Sequence, residues 1–250
     1  MIDKKRVQQT FQRAANSYDD QAMIQHRVAD HLLELLDCQN KKEIHRVLEI
    51  GCCTGLLTRK LAGQCGEIGE LVLNDLVETF AVQAGDVAGI PAIRFLAGDI
   101  ETMPLSGPFD LVISSSTFHW VNDLESLLKK LADTMAPDAL LAFSMYGPDN
   151  LEEIRDLTGI GLDYFSLQEV QAMVDKHFTL DHGDQQREVF HFADPMDILD
   201  HLRSTGVNAV SSKPWTPRRL QRFKDEYVQK FSDVQGVHLT YHPLYLVAHR

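Results

Sequence analysis

"VLEIGCCTGLLTRKLA", residues 47–62, decides how this chain is read. Its first half is an apolar run ending in Gly51, as a buried parallel strand does. Its second half, "LLTRKLAG", reads as a short helix closed by Gly63. Between them lies the turn "GCCTG", with two cysteines where a ligand loop wants glycine. A phosphate loop requires G-x-x-x-x-G-K-[ST], but Leu56, Leu57 and Thr58 stand at those places after Gly51. A dinucleotide loop requires G-x-G-x-x-G, and Cys53 and Leu56 occupy its second and third glycine positions. No second ligand cluster supports zinc. A disulfide between neighbours Cys52 and Cys53 would be strained. What fits is E-x-G-x-G-x-G with one substitution: Glu49, Gly51, Cys53 and Gly55. Cys53 then stands in for the middle glycine, and Cys52 packs inward as a small hydrophobe.

Outward from the loop, "ELVLNDL", "AIRFLAGD", "FDLVISSS" and "ALLAFSMYG" read as strands. They alternate with the helical "ETFAVQAG" and "DLESLLKKLADTM", which indicates a parallel sheet wound on both faces. After Gly147 the rhythm changes to the helical "NLEEIRDL" and "SLQEVQAMVDKHF", then a strand, "TLDHGDQQREVFHF". Two more helical stretches follow, "PMDILDHLRS" and "TPRRLQRFKDEYVQKF", before a last strand in "VHLTYHPLYLVAHR". The expected architecture is α/β: a Rossmann-like, mostly parallel seven-stranded sheet in a single domain over residues 1–250. Residues 1–40 form an N-terminal helical cover, 41–192 the ligand-binding core, 193–236 a helical cap, and 237–250 the last strand.

Composition narrows the function. The chain has 250 residues, 44% hydrophobic and 24% charged, as a soluble globular domain does. No apolar run approaches the roughly 20 residues of a membrane helix. The first twenty residues carry charge but no apolar signal core, so secretion is not expected. A net charge of -12 argues against nucleic acid and anionic membranes as general partners. The four cysteines, Cys38, Cys52, Cys53 and Cys65, form no C-x-x-C pair, which suggests free thiols in a reduced cytoplasm.

Ligands of open α/β sheets bind outside the carboxyl ends of the strands. Glu49 to Gly55, Asp75, Asp99 and Ser114 to Trp120 all fall at such ends. With these residues in place, the chain resembles the class I S-adenosylmethionine-dependent methyltransferases. The resemblance implies that the Glu49, Gly51, Cys53 and Gly55 loop approaches the methionine part of the cofactor. It implies that Asp75 accepts from the ribose hydroxyls, as a carboxylate can. It also implies that Asp99 meets the adenine amino group, that Ile100 packs beside the ring, and that Ser114 belongs to the same pocket.

"FQRAANSYDDQA", "AGDIETMPL", "HLRSTGVNAV" and "LTYHPLYLVA" further resemble the malonyl-acyl-carrier-protein O-methyltransferases of biotin synthesis, over residues 6–248. The family's usual "GCGTG" is "GCCTG" here, and its frequent Gln before the tryptophan is His119. Such enzymes esterify the free carboxylate of a malonyl thioester. That acceptor is already ionised near neutral pH, so alignment and water exclusion matter more than a base.

Within that reading Tyr18 is the first candidate for an orienting residue, against simple aromatic packing. His119 would orient the acceptor, or act as base if the acceptor were a phenol. Trp120 reads equally as acceptor wall or core. Arg155 is a possible malonyl anchor, or an ordinary helix-surface ion pair. Asn208 would line the cap. Tyr241 and His242 read as mainly structural. The run "SSKPWTPRRLQRFK" holds Lys213, Arg218, Arg219, Arg222 and Lys224 without an acid. It would dock an acidic carrier protein, or simply be a solvated helix face. Two other functions stay open: O-methylation of a quinone precursor or other small hydroxyl compound, and cofactor binding without turnover.

Overall fold

The computed structural model describes residues 1–37, 43–85, 87–206 and 215–250. Cys38, Asn208 and Lys213 lie outside them. The centre is β1 (Glu43–Ile50), whose Val47, Leu48 and Ile50 are buried. Its parallel neighbours are β2 (Glu67–Asp75) and β4 (Phe109–Ser114). Outside them run β3 (Ala92–Ala97) and β5 (Met135–Tyr146), also parallel. β10 (Pro243–His249) pairs antiparallel with both β5 and β6 (Thr179–Gln185). The seven-stranded order is β3-β2-β1-β4-β5-β10-β6. The chain therefore winds outward from β1 to β3 and returns to β4 beside β1. Such a reversal opens a crevice at the carboxyl ends of β1 and β4.

Helices cover both faces. On one, α3 (Met23–Leu36) buries Val28, Leu32 and Leu33, and α4 (Leu56–Gln64) buries Leu57 and Leu61. On the other, α6 (Leu124–Thr134) buries Leu127, Leu128 and Leu131, and α8 (Leu167–Val174) buries Val170 and Val174. Full burial of each such side chain contributes about 1.5–3 kcal/mol. Side-chain caps start α6 and α8: Asp123 accepts from Ser126 N–H at 3.0 Å, and Ser166 with Glu169 forms a capping box.

The N-terminal cover is α1 (Lys4–Ala14), capped by Asp3, and the single turn α2 (Tyr18–Gln21). The cap consists of α9 (Pro195–Ser204) and α10 (Pro217–Phe231), each with proline in its first turn. Ser17 Oγ donates to Ser204 O at 3.1 Å and joins cover to cap.

Three expectations need correction. The strand over residues 179–192 is two strands, β6 and β7 (Glu188–Phe192). The final strand is also two, β9 (Gly236–Tyr241) and β10. With β8 (Ser232–Asp233), β7 and β9 form a separate small sheet, ordered β7-β9-β8. The break has a cause: Pro243 has no N–H, and His242 turns its carbonyl to Gly147 N–H (2.7 Å) and its Nδ1 to Asp149 N–H (3.1 Å). Finally, Cys52 and Cys53 are free thiols, whereas Cys65 is disulfide-bonded.

Candidate active site

The loop after β1 explains its own spacing. Gly51, Cys53 and Gly55 all have left-handed backbones, with φ of 73°, 48° and 88°. A Cβ on Gly51 would strike the Thr117 side chain, and one on Gly55 would lie 2.8 Å from Ala84 Cα. Cys53 adopts the glycine conformation with a side chain attached. The loop amides are anchored on β2: Gly51 N–H and Cys52 N–H donate to Asn74 O (2.8 and 3.1 Å), and Cys53 N–H to Asp75 Oδ2 (2.9 Å). Asn74 Nδ2 reaches on to Leu96 O (2.9 Å) and Gly98 O (3.1 Å), so Asn74 ties the β1 loop through its carbonyl and the end of β3 through its side-chain amide.

Above this loop is a narrow cleft of about 80 Å³, walled by Gly51, Cys53, Asp75, Asp99, Ile100 and Tyr18. α1 closes it from outside. Lys4 Nζ pairs with Glu101 (2.5 Å) and Asp99 (3.5 Å), and Gln8 Nε2 donates to Leu76 O (2.6 Å). Asp19 accepts from Arg59 (2.9 Å) and from Thr54 Oγ1, which fixes neighbouring Tyr18 against the loop. Burial raises the Tyr18 phenol well above its ordinary pKa, so it is a neutral donor. Burial also pushes Asp75 up to about 6, although backbone N–H bonds from Val77, Cys53 and Leu76 oppose the shift. Beneath the loop, Glu49 is buried beside Thr58, and burial lifts its carboxyl to about 8 although Thr58 partly opposes the shift. Side-chain-free Gly51, carboxylates at two adjacent strand ends and apolar Ile100 form a cradle suited to a cationic nucleoside. S-adenosylmethionine matches that chemistry, and the α1 face and Tyr18 that close the cleft must move outward to admit a molecule several times larger than 80 Å³.

Beside the cleft is a larger chamber of about 1040 Å³, between α1, the cap and the segment after β5. His119, Trp120, Tyr146 and Tyr164 make an aromatic group on its wall, with the His119 ring 5.0 Å from Tyr146 and 5.1 Å from Trp120. Burial alone lowers His119 to about 3, and its Nδ1 has no partner. Tyr146 Oη accepts from Ser116 Oγ (3.4 Å) and Tyr164 Oη from Asn150 Nδ2 (2.9 Å), which leaves each phenol O–H free to donate. Trp120 lines both cavities.

Residues 48–143 match the family described as a methyltransferase domain. A malonyl-[acyl-carrier protein] O-methyltransferase of Calditerrivibrio nitroreducens is 37% identical over 237 residues, covering 95% of this chain and 93% of that protein. One of Porphyromonas gingivalis is 36% identical over 250 residues, covering 99% and 96%. The chain belongs to the malonyl-[acyl-carrier protein] O-methyltransferase family. Among solved structures, the N-methyltransferase NodS of Bradyrhizobium japonicum, in complex with S-adenosyl-L-homocysteine, shares the fold at 15% identity. Its TM-score is 0.51, over 89% of this chain and 85% of that one. The YcgJ protein of Bacillus subtilis gives 0.62 at 16% identity, over 90% and 98%.

In this methyltransferase some sequence candidates fall elsewhere. Ser114 Oγ donates to Ile50 O (2.8 Å) and ties β4 to β1, while Ser115, Ser116 and Thr117 face the cleft. Successive strand residues point to opposite faces, so the neighbour is displayed instead. Arg155 lies on α7 (Glu152–Thr158) and donates to Pro148 O (2.5 Å) and Asn150 O (3.5 Å); it is not part of the chamber wall. Tyr241 Oη bonds His201 Nε2 (2.7 Å), a structural role like that of His242. Sequence reading missed Asn74, Tyr146 and Tyr164. Their only local signals are the polar residue before Asp75 in β2, the tyrosine before Gly147 that ends β5, and the aromatic pair in "GLDYFS".

Proposed function

We propose that this methyltransferase moves the methyl group of S-adenosylmethionine to the free carboxylate of a malonyl thioester on an acyl-carrier protein, in the cytoplasm and early in biotin synthesis. The cofactor supplies an electrophilic methyl on a sulfonium. Asp75 and Asp99 would hold its sugar and base, and the Gly51–Gly55 turn its methionine end. The observation that carries the acceptor assignment is His119. A phenol, with a pKa of roughly 10, must lose its proton to react, and His119 is a poor recipient: it is buried with its Nδ1 unpartnered, no neighbouring charge supports an imidazolium, and burial lowers it to about 3. A malonyl carboxylate needs no base. Tyr146 and Tyr164 supply two neutral donors that orient such a carboxylate without the tight ion pair that would blunt its oxygen. Trp120, at the junction of the cavities, excludes water where the methyl crosses.

Docking of the carrier belongs to the same reading. Arg218 and Arg219 occupy the first turn of α10, where the helix dipole disfavours cations. That local cost supports a role with an acidic partner. Arg222 is offset by Glu226 (3.7 Å) and Lys224 by Asp194 (3.4 Å), so both contribute less than their sequence run suggests. The deciding experiment is intact-mass analysis of malonyl-carrier protein incubated with S-adenosylmethionine and enzyme. One added methyl group, absent with acetyl-carrier protein, is expected. Methylation of a simple phenol instead would overturn the assignment.

A further inference from the structure

The acceptor chamber has a charge that the rest of the molecule does not. The chain carries a net charge of -12, yet Lys5, Arg6, Arg13, Arg203 and Arg219 all line this one cavity. Asp3 is the only acid among the described lining residues, and its carboxylate is engaged by Arg6 N–H as the cap of α1. Lys5, Arg6 and Arg13 pair with no carboxylate among the described residues. Arg203 shares only the exposed Asp200 (3.1 Å), and Arg219 lies over the Trp215 ring at 4.8 Å.

These cations come from three helices that meet at the joint of cover and cap. α1 contributes two faces. Lys4, Val7, Gln8 and Phe11, spaced as one side of a helix, close the cofactor cleft. Lys5, Arg6, Gln9 and Arg13 on the adjoining side face the chamber. Ser17 to Ser204 holds the end of α9, and with it Arg203, against the end of α1. The far wall of the same chamber is the uncharged aromatic group of His119, Tyr146 and Tyr164. The cavity is thus neutral where the reacting carboxylate is proposed to lie and strongly positive at the cover–cap joint.

We propose that Arg6, Arg13 and Arg203 form a phosphate subsite that recognises the phosphate ester of a pantetheine arm threaded into the chamber. This rests on the thioester reading above. Guanidinium forks match phosphate oxygens in pairs; Arg6 and Arg13 are unpaired among the described residues, and Arg203 holds only the exposed Asp200. The volume of about 1040 Å³ far exceeds what a malonyl group needs and suits a long arm behind it. Recognition of the phosphate sets the depth of the arm, and so the position of the acyl end against the aromatic wall. α10 then meets the carrier surface outside, which makes arm and carrier two separate contacts.

The test is titration calorimetry of the full chain, saturated with S-adenosylhomocysteine, using 4'-phosphopantetheine and pantetheine as probes. Phosphopantetheine is expected to bind about tenfold tighter or better, the effect of two or three charge pairs at a partly open site. In the Arg6→Gln/Arg13→Gln/Arg203→Gln protein that preference should vanish. Single variants should each remove part of it, which keeps the test informative if the triple variant folds poorly. Equal binding of the two probes by the wild type, or a preference that survives the triple substitution, overturns the subsite. A failure of the malonyl reading would show elsewhere, as absent methyl transfer to malonyl-carrier protein by an enzyme that still prefers the phosphorylated probe.

Discussion

The cofactor cleft draws its walls from strand ends between Ile50 and Val121, closed by one face of α1. The acceptor chamber draws on α1, the aromatic turn at His119, the segment after β5, α9 and α10, from Asp3 to Arg219. The first is made of turns whose left-handed backbone favours glycine, with Cys53 the one departure. The second is made of side chains on helices laid over the sheet, where one residue can replace another without disturbing the frame. Chemistry common to a large enzyme class belongs in the first kind of site and acceptor choice in the second. Variants should divide accordingly.

The largest effect is expected at the turn. Gly51→Ala puts a Cβ into Thr117 on a backbone at φ 73°. Left-handed strain and overpacking together cost about 3 kcal/mol of stability, and the shift of the turn that relieves them should weaken cofactor binding by roughly tenfold or more. Calorimetry with S-adenosylhomocysteine measures it; a Gly51→Ala protein that binds normally would show that the turn has slack. On the chamber side, Tyr164→Phe removes one donor to a charged acceptor. The expected rise in acceptor KM is about tenfold, with cofactor Kd unchanged. A change in both constants would mean that the two cavities are not separable. Trp120→Phe is the intended exception, raising both because Trp120 lines both.

The division also governs what could be read in advance. The strand–turn–helix at residues 47–62 was legible because its signals are local: an apolar run, then glycine at alternate positions. Asp75 and Asp99 were legible as carboxylates at strand ends. Ser114 misled because a one-residue step along a strand reverses the side chain, and the exact strand end decides which serine faces the cleft. Arg155 misled because its nearest acceptors are the backbone carbonyls of its own loop, which sequence does not display. Tyr146 and Tyr164 were invisible because they lie in separate segments that meet only once His119 is folded between them. The basic lining shares that property: Arg13 and Arg203 are far apart in the chain.

Acidity separates the two regions by sign. Glu49 under the cofactor loop is raised from 4.5 to about 8, so the folded chain holds a proton the unfolded chain has lost. Its contribution to stability is full below about pH 4.5 and disappears as pH rises to about 8, at up to about 1.4 kcal/mol per pH unit. Asp75 acts in the same direction, from 3.8 to about 6. His119 in the chamber is lowered from 6.5 to about 3, so its contribution is present above pH 6.5 and is lost as pH falls. Between pH 6.5 and 8 Glu49 stands alone of the three. Urea unfolding of the free protein should therefore show stability falling across that window, and Glu49→Gln should flatten the slope. A slope that persists in Glu49→Gln would assign the titration to another group.

The smallest effect is expected at the one position where the loop departs from glycine. Cys53 pays left-handed strain of about 1 kcal/mol at φ 48°, and Cys53→Gly relieves it. Glycine gives back about 0.5–1 kcal/mol through the freedom of the unfolded chain, so the melting temperature should scarcely move. Binding has no such cancellation. Removing the thiol widens the cleft wall beside Asp75 and leaves the Cys53 N–H bond to Asp75 Oδ2 available to the new residue. S-adenosylhomocysteine should bind Cys53→Gly equally or up to about threefold tighter, a gain below 1 kcal/mol. Cys53→Val carries the converse expectation, because a β-branched residue tolerates the left-handed region worst, and it should lose both stability and affinity. If glycine weakened binding as much as valine, the thiol would have to touch the cofactor itself, and this corner of the cleft would be specified by a side chain, as the chamber is.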